Sequence, residues 1–316
     1  GLIESFEYSG NNLVVKNDSD VFSVGGNFSF TGSTFQNDGE LYLAGELSEF
    51  ELSGGHTIDG KITAVGALSF NAQGEVINTG EVAASGDLSI NTYSSNFINR
   101  NSLLSAKTLK IRAQNITNES DAGLFGVGPT GNLDLAAHSH IKNYGTLYSG
   151  RNIRLGALSP SSDLAIKNYE GAYIASDQSI LMGYGNIQDD GVLSDTIHKD
   201  AKKIYVKNEG RISSRKNTYI NAEKFTNNVR DHRLGPRNRV GEVTRTEEGD
   251  SGRYGGTHNE RHGGYYVVGP ATFYVDFRDE WIEEQHYAGA VGAARPAIVS
   301  QNNLLIRTDY GENIGG

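Results

Sequence analysis

Short apolar segments return along this chain about every 20 residues, each close to an Asn. Within a segment, apolar and polar residues alternate, as in Leu88 and Ile90, which is the pattern of a short strand with one buried face. One such unit cannot bury its apolar face alone, whereas stacked units can. The repeat therefore predicts an all-β fold, a right-handed parallel β-helix or solenoid. Four copies display the repeat most fully: residues 77–90, 141–155, 166–181 and 206–220.

One polar residue marks the same place in each unit. An Asn suits a corner between strands because it tolerates the left-handed conformation and because its amide can bond to the same residue one coil away. We therefore predict a structural ladder of asparagines at these corners. The markers are Asn17, Asn37, Asp59, Asn78, Asn99, Asn118, Asn143, Asn168, Asp189, Asn208 and Asn227. We interpret five glycines in the same units as corner residues with positive φ: Gly80, Gly86, Gly145, Gly150 and Gly210.

The repeat stops after Asn228 and resumes near Ala297. The chain is thus predicted to divide into β-helix coils at 1–229, an insertion at 230–296 and a resumed coil at 297–316. The first part of the insertion, 230–261, is rich in Arg, Asp and Glu and poor in aliphatic residues, which predicts a solvated loop. Two aromatic runs follow, 265–268 and 272–277, and the Gly-Pro break between them predicts a β-hairpin.

The insertion also contains the candidate contact residues for a partner. Tyr and Trp side chains on a projecting element anchor interfaces, and Arg side chains steer charged partners. The candidates are Tyr265, Tyr266, Phe273, Tyr274 and Trp281 in the aromatic part, and Arg233, Arg237 and Arg239 in the loop. An alternative stays open, in which these rings pack onto the flank of the β-helix and fix the insertion in place.

Charge and chemistry exclude several classes of protein. The net charge of -10 argues against nucleic acid as the main partner, and the absence of Cys excludes disulfides and thiolate chemistry. No run of apolar residues is long enough to span a membrane. The motifs Asp189-Asp190, His138-x-His140 and His258-x-Glu260-x-His262 lack the further groups that catalysis or metal binding requires. We therefore predict a protein that is not an enzyme and uses no metal and no cofactor.

The units at 77–90 and 141–155 resemble the filamentous haemagglutinin repeats of two-partner secretion exoproteins. That group includes the filamentous haemagglutinin adhesins and the CdiA effectors of contact-dependent growth inhibition, to which this chain is most similar. The resemblance extends over residues 11–229 and 296–307. It implies a β-helical filament that is exported through an outer-membrane two-partner secretion transporter and displayed on the surface of a Gram-negative bacterium. In the growth-inhibition members, a central segment recognises an outer-membrane protein on a neighbouring cell, and a separate toxin is then delivered.

From this resemblance we expect a receptor-binding segment of a secreted surface filament, with an outer-membrane protein of a target bacterium as its partner. The segment itself is not expected to insert into a membrane. Two other hypotheses remain open. One is a structural shaft of an adhesin, which would have regular coils and a featureless surface. The other is a polysaccharide-acting β-helix enzyme, which would need a cluster of carboxylates on one face.

Overall fold

Thirty β-strands, numbered β1 to β30 in chain order, and no helix form the described part of the chain in a computed structural model. The structure describes residues 4–15, 21–92, 94–159, 161–183, 203–228, 238–242, 281–284 and 296–314. The chain divides into two compact units. One comprises Gly1–Arg230 and Ala294–Gly316, and the other comprises Asp231–Ala293.

The first unit is a β-solenoid of about nine turns, in which parallel strands stack in register on three faces. This confirms the predicted all-β parallel β-helix. Face 1 contains β1 (Phe6–Ser9), β4 (Phe28–Gly32), β7 (Leu47–Leu52), β10 (Ala67–Ala72), β13 (Leu88–Asn91), β20 (Ile153–Ala157) and β23 (Ile180–Met182). Face 2 contains β2 (Asn12–Val15), β5 (Thr34–Asn37), β8 (His56–Ile58), β11 (Val76–Asn78), β14 (Asn96–Asn99), β21 (Leu164–Asn168) and β24 (Ile204–Asn208).

Four long strands bend from face 1 onto face 2: β16 (Thr108–Asn118), β18 (Asn132–Asn143), β26 (Asn217–Asn228) and β30 (Asn303–Ile314). Face 3 is a separate ten-stranded sheet. It contains β3 (Val21–Val24), β6 (Glu40–Leu43), β9 (Lys61–Ala64), β12 (Glu81–Ala84), β15 (Ser102–Ser105), β17 (Gly123–Gly126), β19 (Thr146–Ser149), β22 (Tyr173–Ser176), β25 (Arg211–Ser214) and β29 (Ala297–Ser300).

Inward-facing apolar side chains stack into columns, because the strands alternate and neighbouring turns stay in register. One column on face 1 shows the arrangement, since all its members are at most 1% exposed: Phe50, Phe70, Ile90, Ile111 and Leu135. Full burial of such a side chain contributes about 1.5–3 kcal/mol to stability. The turns therefore cohere through their shared apolar interior as well as through backbone hydrogen bonds.

The predicted reason for the corner glycines is wrong. None of the five has a positive φ, whereas Gly60, Gly128, Gly171 and Gly183 do. At each of the five, an added Cβ would lie between 2.2 and 2.6 Å from a backbone atom one turn earlier. At Gly145, for example, that atom is the carbonyl oxygen of Ala122, at 2.2 Å. These positions need Gly because the backbones of adjacent corners approach each other closely.

In the second unit, β27 (Asn238–Glu242) pairs in antiparallel fashion with β28 (Trp281–Glu284). The sequence-based expectation of a loop throughout 230–261 is thus wrong for 238–242. Backbone pairing with a segment about 40 residues away is not visible in local composition. The predicted hairpin at 265–277 lies outside the described residues.

Candidate functional site

A row of asparagine amides, all buried except the last, runs along the corner between face 2 and face 3. Each Nδ2 donates a hydrogen bond to the Oδ1 of the next Asn, one turn later, at 2.7–2.9 Å. This amide ladder comprises Asn78, Asn99, Asn118, Asn143, Asn168, Asn208, Asn227 and Asn313. Sequence analysis missed Asn313 because it lacks the surrounding apolar pattern, and only its register opposite Asn227 reveals it.

The remaining markers do not join the ladder. Asn17 and Asp189 lie outside the described residues. The Asn37 amide donates instead to the carbonyl oxygens of Gly39 and Lys61, at 3.2 and 3.1 Å. Asp59 is one residue out of register, because Ile58 is the partner of Asn78.

From Asn78 to Asn208, each corner between face 2 and face 3 begins directly after a ladder asparagine, but the corners differ in length. Most corners between face 2 and face 3 contain two residues, such as 144–145 and 209–210. Two corners contain four residues, 119–122 and 169–172, and they flank the short corner at 144–145. The chain also leaves the solenoid at this corner, since β26 ends at Asn228 and β29 begins at Ala297.

The two long corners and the short corner between them line a groove of about 430 Å³. The lining combines carboxylate, amide, hydroxyl and aromatic side chains, including Asn101, Ser102, Asp121, Phe125, Tyr144 and Glu170. Binding sites for small ligands commonly have volumes of about 300–1,000 Å³ and combine aromatic side chains with a few polar groups. We call this feature the corner groove.

Aromatic rings shape the corner groove. An added Cβ on Gly123 would lie 2.1 Å from Cε2 of Phe125, so the absence of a side chain at Gly123 lets the Phe125 ring lie over it. Tyr144 stacks on Tyr169 with ring centroids 4.0 Å apart and an interplanar angle of 10°. Tyr144 is 38% exposed, so this pair presents aromatic surface at the groove.

Backbone strain is found at the same place. Asp121, with φ of 63°, is the one non-glycine residue with positive φ in the part of the chain that the structure describes. This conformation costs most L-residues about 1–2 kcal/mol, although Asp tolerates it better than most. Strained residues concentrate at binding and catalytic sites. Asp121 is exposed and lines the groove, which marks the groove as the candidate functional site.

The predicted contact residues of the insertion are only partly placed. Arg239 lies in β27 and Trp281 lies in β28, where its register partner is Glu242. The other six candidates lie outside the described residues: Tyr265, Tyr266, Phe273, Tyr274, Arg233 and Arg237. Sequence reasoning missed the corner groove, because its residues come from four separate turns of the solenoid.

The histidines of the His138-x-His140 motif have separate partners. Nδ1 of His138 lies 3.0 Å from Oγ of Ser162, and Nδ1 of His140 lies 3.0 Å from Oδ1 of Asn115. Among the residues described, no three metal-ligating side chains come together. A helix long and apolar enough to cross a membrane is likewise not found in those ranges. Asp189-Asp190 and His258-x-Glu260-x-His262 lie outside them.

Comparisons with protein-family models, with curated proteins and with solved structures found no match for this chain. By its own geometry, the first unit belongs to the class of parallel β-helices. Within that class, it combines a buried amide ladder with a strained, aromatic-lined groove at one corner.

Proposed function

We propose that this chain is a non-catalytic, receptor-binding segment of a secreted filament, displayed on the surface of a Gram-negative bacterium and related to the contact-dependent growth inhibition effectors. The corner groove is the observation that carries this proposal. A regular shaft needs neither a strained backbone at Asp121 nor an exposed aromatic stack at Tyr144. The receptor is an outer-membrane protein of a neighbouring cell, and the full-length protein leaves its own cell through a two-partner secretion transporter.

The amide ladder favours a second candidate function, a structural shaft. It extends over much of the solenoid, from Asn78 to Asn313, and would make the rod stiff. On this hypothesis the groove residues are dispensable, and the segment only separates distant active parts.

The enzymatic hypothesis has less support. Asp121 and Glu170 both line the corner groove, as a pair of catalytic carboxylates would. Such a pair has one carboxyl group buried in an apolar pocket, whereas Asp121 is exposed and Glu170 is only half-buried. We therefore favour binding over hydrolysis.

Binding of the labelled chain to intact Gram-negative cells tests the proposal. The target strains are a wild type and mutants that each lack one abundant outer-membrane protein. We expect saturable binding that is lost in one of the mutants. Binding to none of the strains, or to all of them equally, would favour the shaft.

Two variants locate the contact surface. The first replaces Phe125 and Tyr144 with Ala, and its matched control is Tyr42→Ala, since Tyr42 occupies the same outward column as Phe125 on a distant turn. The second replaces residues 229–296 with a two-residue corner of the sequence found at 209–210. Loss of binding in the first variant alone assigns recognition to the corner groove, and loss in the second alone assigns it to the insertion.

A further inference from the structure

Three lysines form a column on the outer surface of face 2. Lys142, Lys167 and Lys207 are direct register partners on β18, β21 and β24. All three side chains are half-buried and point away from the core, because the residues beside them in the strand are buried. Adjacent strands lie about 4.8 Å apart, so three like charges follow one another at this spacing. We call this feature the lysine column.

Like charges placed directly opposite each other destabilise a sheet. Two other columns of the described strands place unlike charges in register. On face 3, Glu40, Lys61 and Glu81 alternate in sign along one column, and Lys61 Nζ lies 2.9 Å from Glu40 Oε1. On face 1, Asp134 lies in register between Lys110 and Arg154, and Arg154 pairs with it at 2.6 Å. The lysine column therefore differs from both, in a chain whose net charge is -10.

Acidic neighbours neutralise only one end of the column. Lys207 Nζ lies 2.6 Å from Oε1 of Glu209. Lys142 and Lys167 have no ion pair within the described ranges, and Asp163, just before β21, pairs with Lys203 at 3.6 Å. Burial lowers the pKa of His140, and the positive charges of Lys142 and Lys167 lower it further. The electrostatic potential around Lys142 and Lys167 is thus positive.

We propose that the lysine column binds a linear acidic polysaccharide, with successive lysines contacting carboxylates of successive uronic acid residues. A rise of about 4.8 Å per strand is close to the length of one sugar residue, so one charge per sugar matches one charge per turn. Double-stranded nucleic acid carries one charge per about 1.7 Å, a spacing that does not match one charge per strand. Exposed Tyr205, on the same face, offers a ring for sugar packing. This inference does not depend on the proposed function.

The test measures binding of the full chain to polygalacturonate, with dextran as the neutral polymer and double-stranded DNA as the competing polyanion. The variant carries Lys142→Thr and Lys167→Thr, because Thr already occupies this column at Thr117 and Thr226. We expect salt-sensitive binding to polygalacturonate that becomes weaker by about tenfold or more in the variant. The control Lys110→Thr, an exposed lysine on face 1, should bind like the wild type.

Urea unfolding of the same variants separates binding from structure. We expect the double variant to unfold at the same urea concentration as the wild type or at a higher one, because like-charge repulsion is relieved. A second variant, Lys142→Arg with Lys167→Arg, keeps the charge and should keep the binding. The proposal is overturned by undiminished binding in the threonine variant, by equal binding to dextran, or by tighter binding to DNA.

Discussion

At the scale of the residue, His56 is an ionisable side chain in an apolar environment. It lies on an inward column of face 2, in register with Val76, and its ring centroid is 6.3 Å from that of Phe35. The side chain is buried, and Nε2 has no hydrogen-bond partner among the described residues. Burial lowers its pKa from 6.5 to about 4. His56 therefore stays neutral in the folded protein down to mildly acidic pH.

This shift predicts acid sensitivity. The unfolded chain binds a proton near pH 6.5, whereas the folded chain resists until about pH 4. The stability that neutral His56 contributes is thus fully present above pH 6.5 and is lost as the pH falls toward 4, by about 3 kcal/mol. Urea unfolding near neutral pH and near pH 4 should show that His56→Val loses about 3 kcal/mol less than the wild type.

His138→Val serves as the control for this measurement, since His138 is half-buried and has a hydrogen-bond partner in Ser162. It should keep the pH dependence of the wild type. If His56→Val were as acid-sensitive as the wild type, protonation of His56 would not be the cause.

At the scale of the element, the amide ladder begins at Asn78, because Ile58 occupies the position one turn earlier. Each Nδ2 donates to the Asn of the following turn, so Ile58 offers no donor to Oδ1 of Asn78. That oxygen is buried and has no partner in the part of the chain described. A buried acceptor without a hydrogen bond costs about 1–3 kcal/mol. A substitution that supplies the missing donor should therefore stabilise the ladder.

Ile58→Asn should extend the ladder, because the new Nδ2 can donate to Oδ1 of Asn78. The gain offsets the lost burial of Ile58, so we expect little net change in the free energy of unfolding. Ile58→Ala, which creates a cavity and adds no amide, should cost about 2–5 kcal/mol. Denaturant unfolding of both variants decides the matter: equal destabilisation would show that the new amide does not bond to Asn78.

The elements themselves were largely predictable from the sequence. Alternation such as Leu88 and Ile90 is local, and it identified strands that the structure contains. Register was harder to predict. The sequence pattern placed the corner residue of that turn at Asp59, whereas the residue in register with Asn78 is Ile58. Only the pairing between turns reveals this shift of one residue. The close contacts at Gly145 depend on the backbone of the previous turn, so its local sequence suggested a positive φ that it does not have.

At the scale of the whole molecule, a solenoid has contacts only between neighbouring turns, so its stability varies along the rod. Within the described residues, β1 pairs with β4 alone and β30 pairs with β26 alone. Leu304 and Leu305 of β30 are 47% and 39% exposed, whereas Val82 and Leu103 of the central turns are buried. The terminal turns therefore have fewer contacts to lose when they open.

Hydrogen exchange should reflect this gradient. We expect amides of β12 and β15 to exchange about tenfold or more slowly than those of β1 and β30, because opening an end turn costs less than opening a central one. Mass spectrometry on peptides from these strands measures it. Equal protection along the rod would mean that the solenoid unfolds as one cooperative unit.

The corner groove could not be predicted for a reason that also belongs to this scale. Asn101, Asp121, Tyr144 and Glu170 lie on four consecutive turns, so their proximity requires every intervening corner length to be known. The longer spacing between Asn118 and Asn143 was visible in the sequence, but its placement partly at the corner 119–122 was not.

The amide ladder also acts as a check on assembly. A turn that docked one residue out of register would bring Lys142 or Tyr144, instead of Asn143, against the amide of Asn118. A slip of one residue also turns the apolar side chains of that strand outward. The misdocked turn would thus lose its apolar contacts and would also leave the buried amide of Asn118 without its hydrogen-bond acceptor. The ladder would therefore favour the correct alignment as each turn is added, which matters in a chain whose units share one pattern of residues.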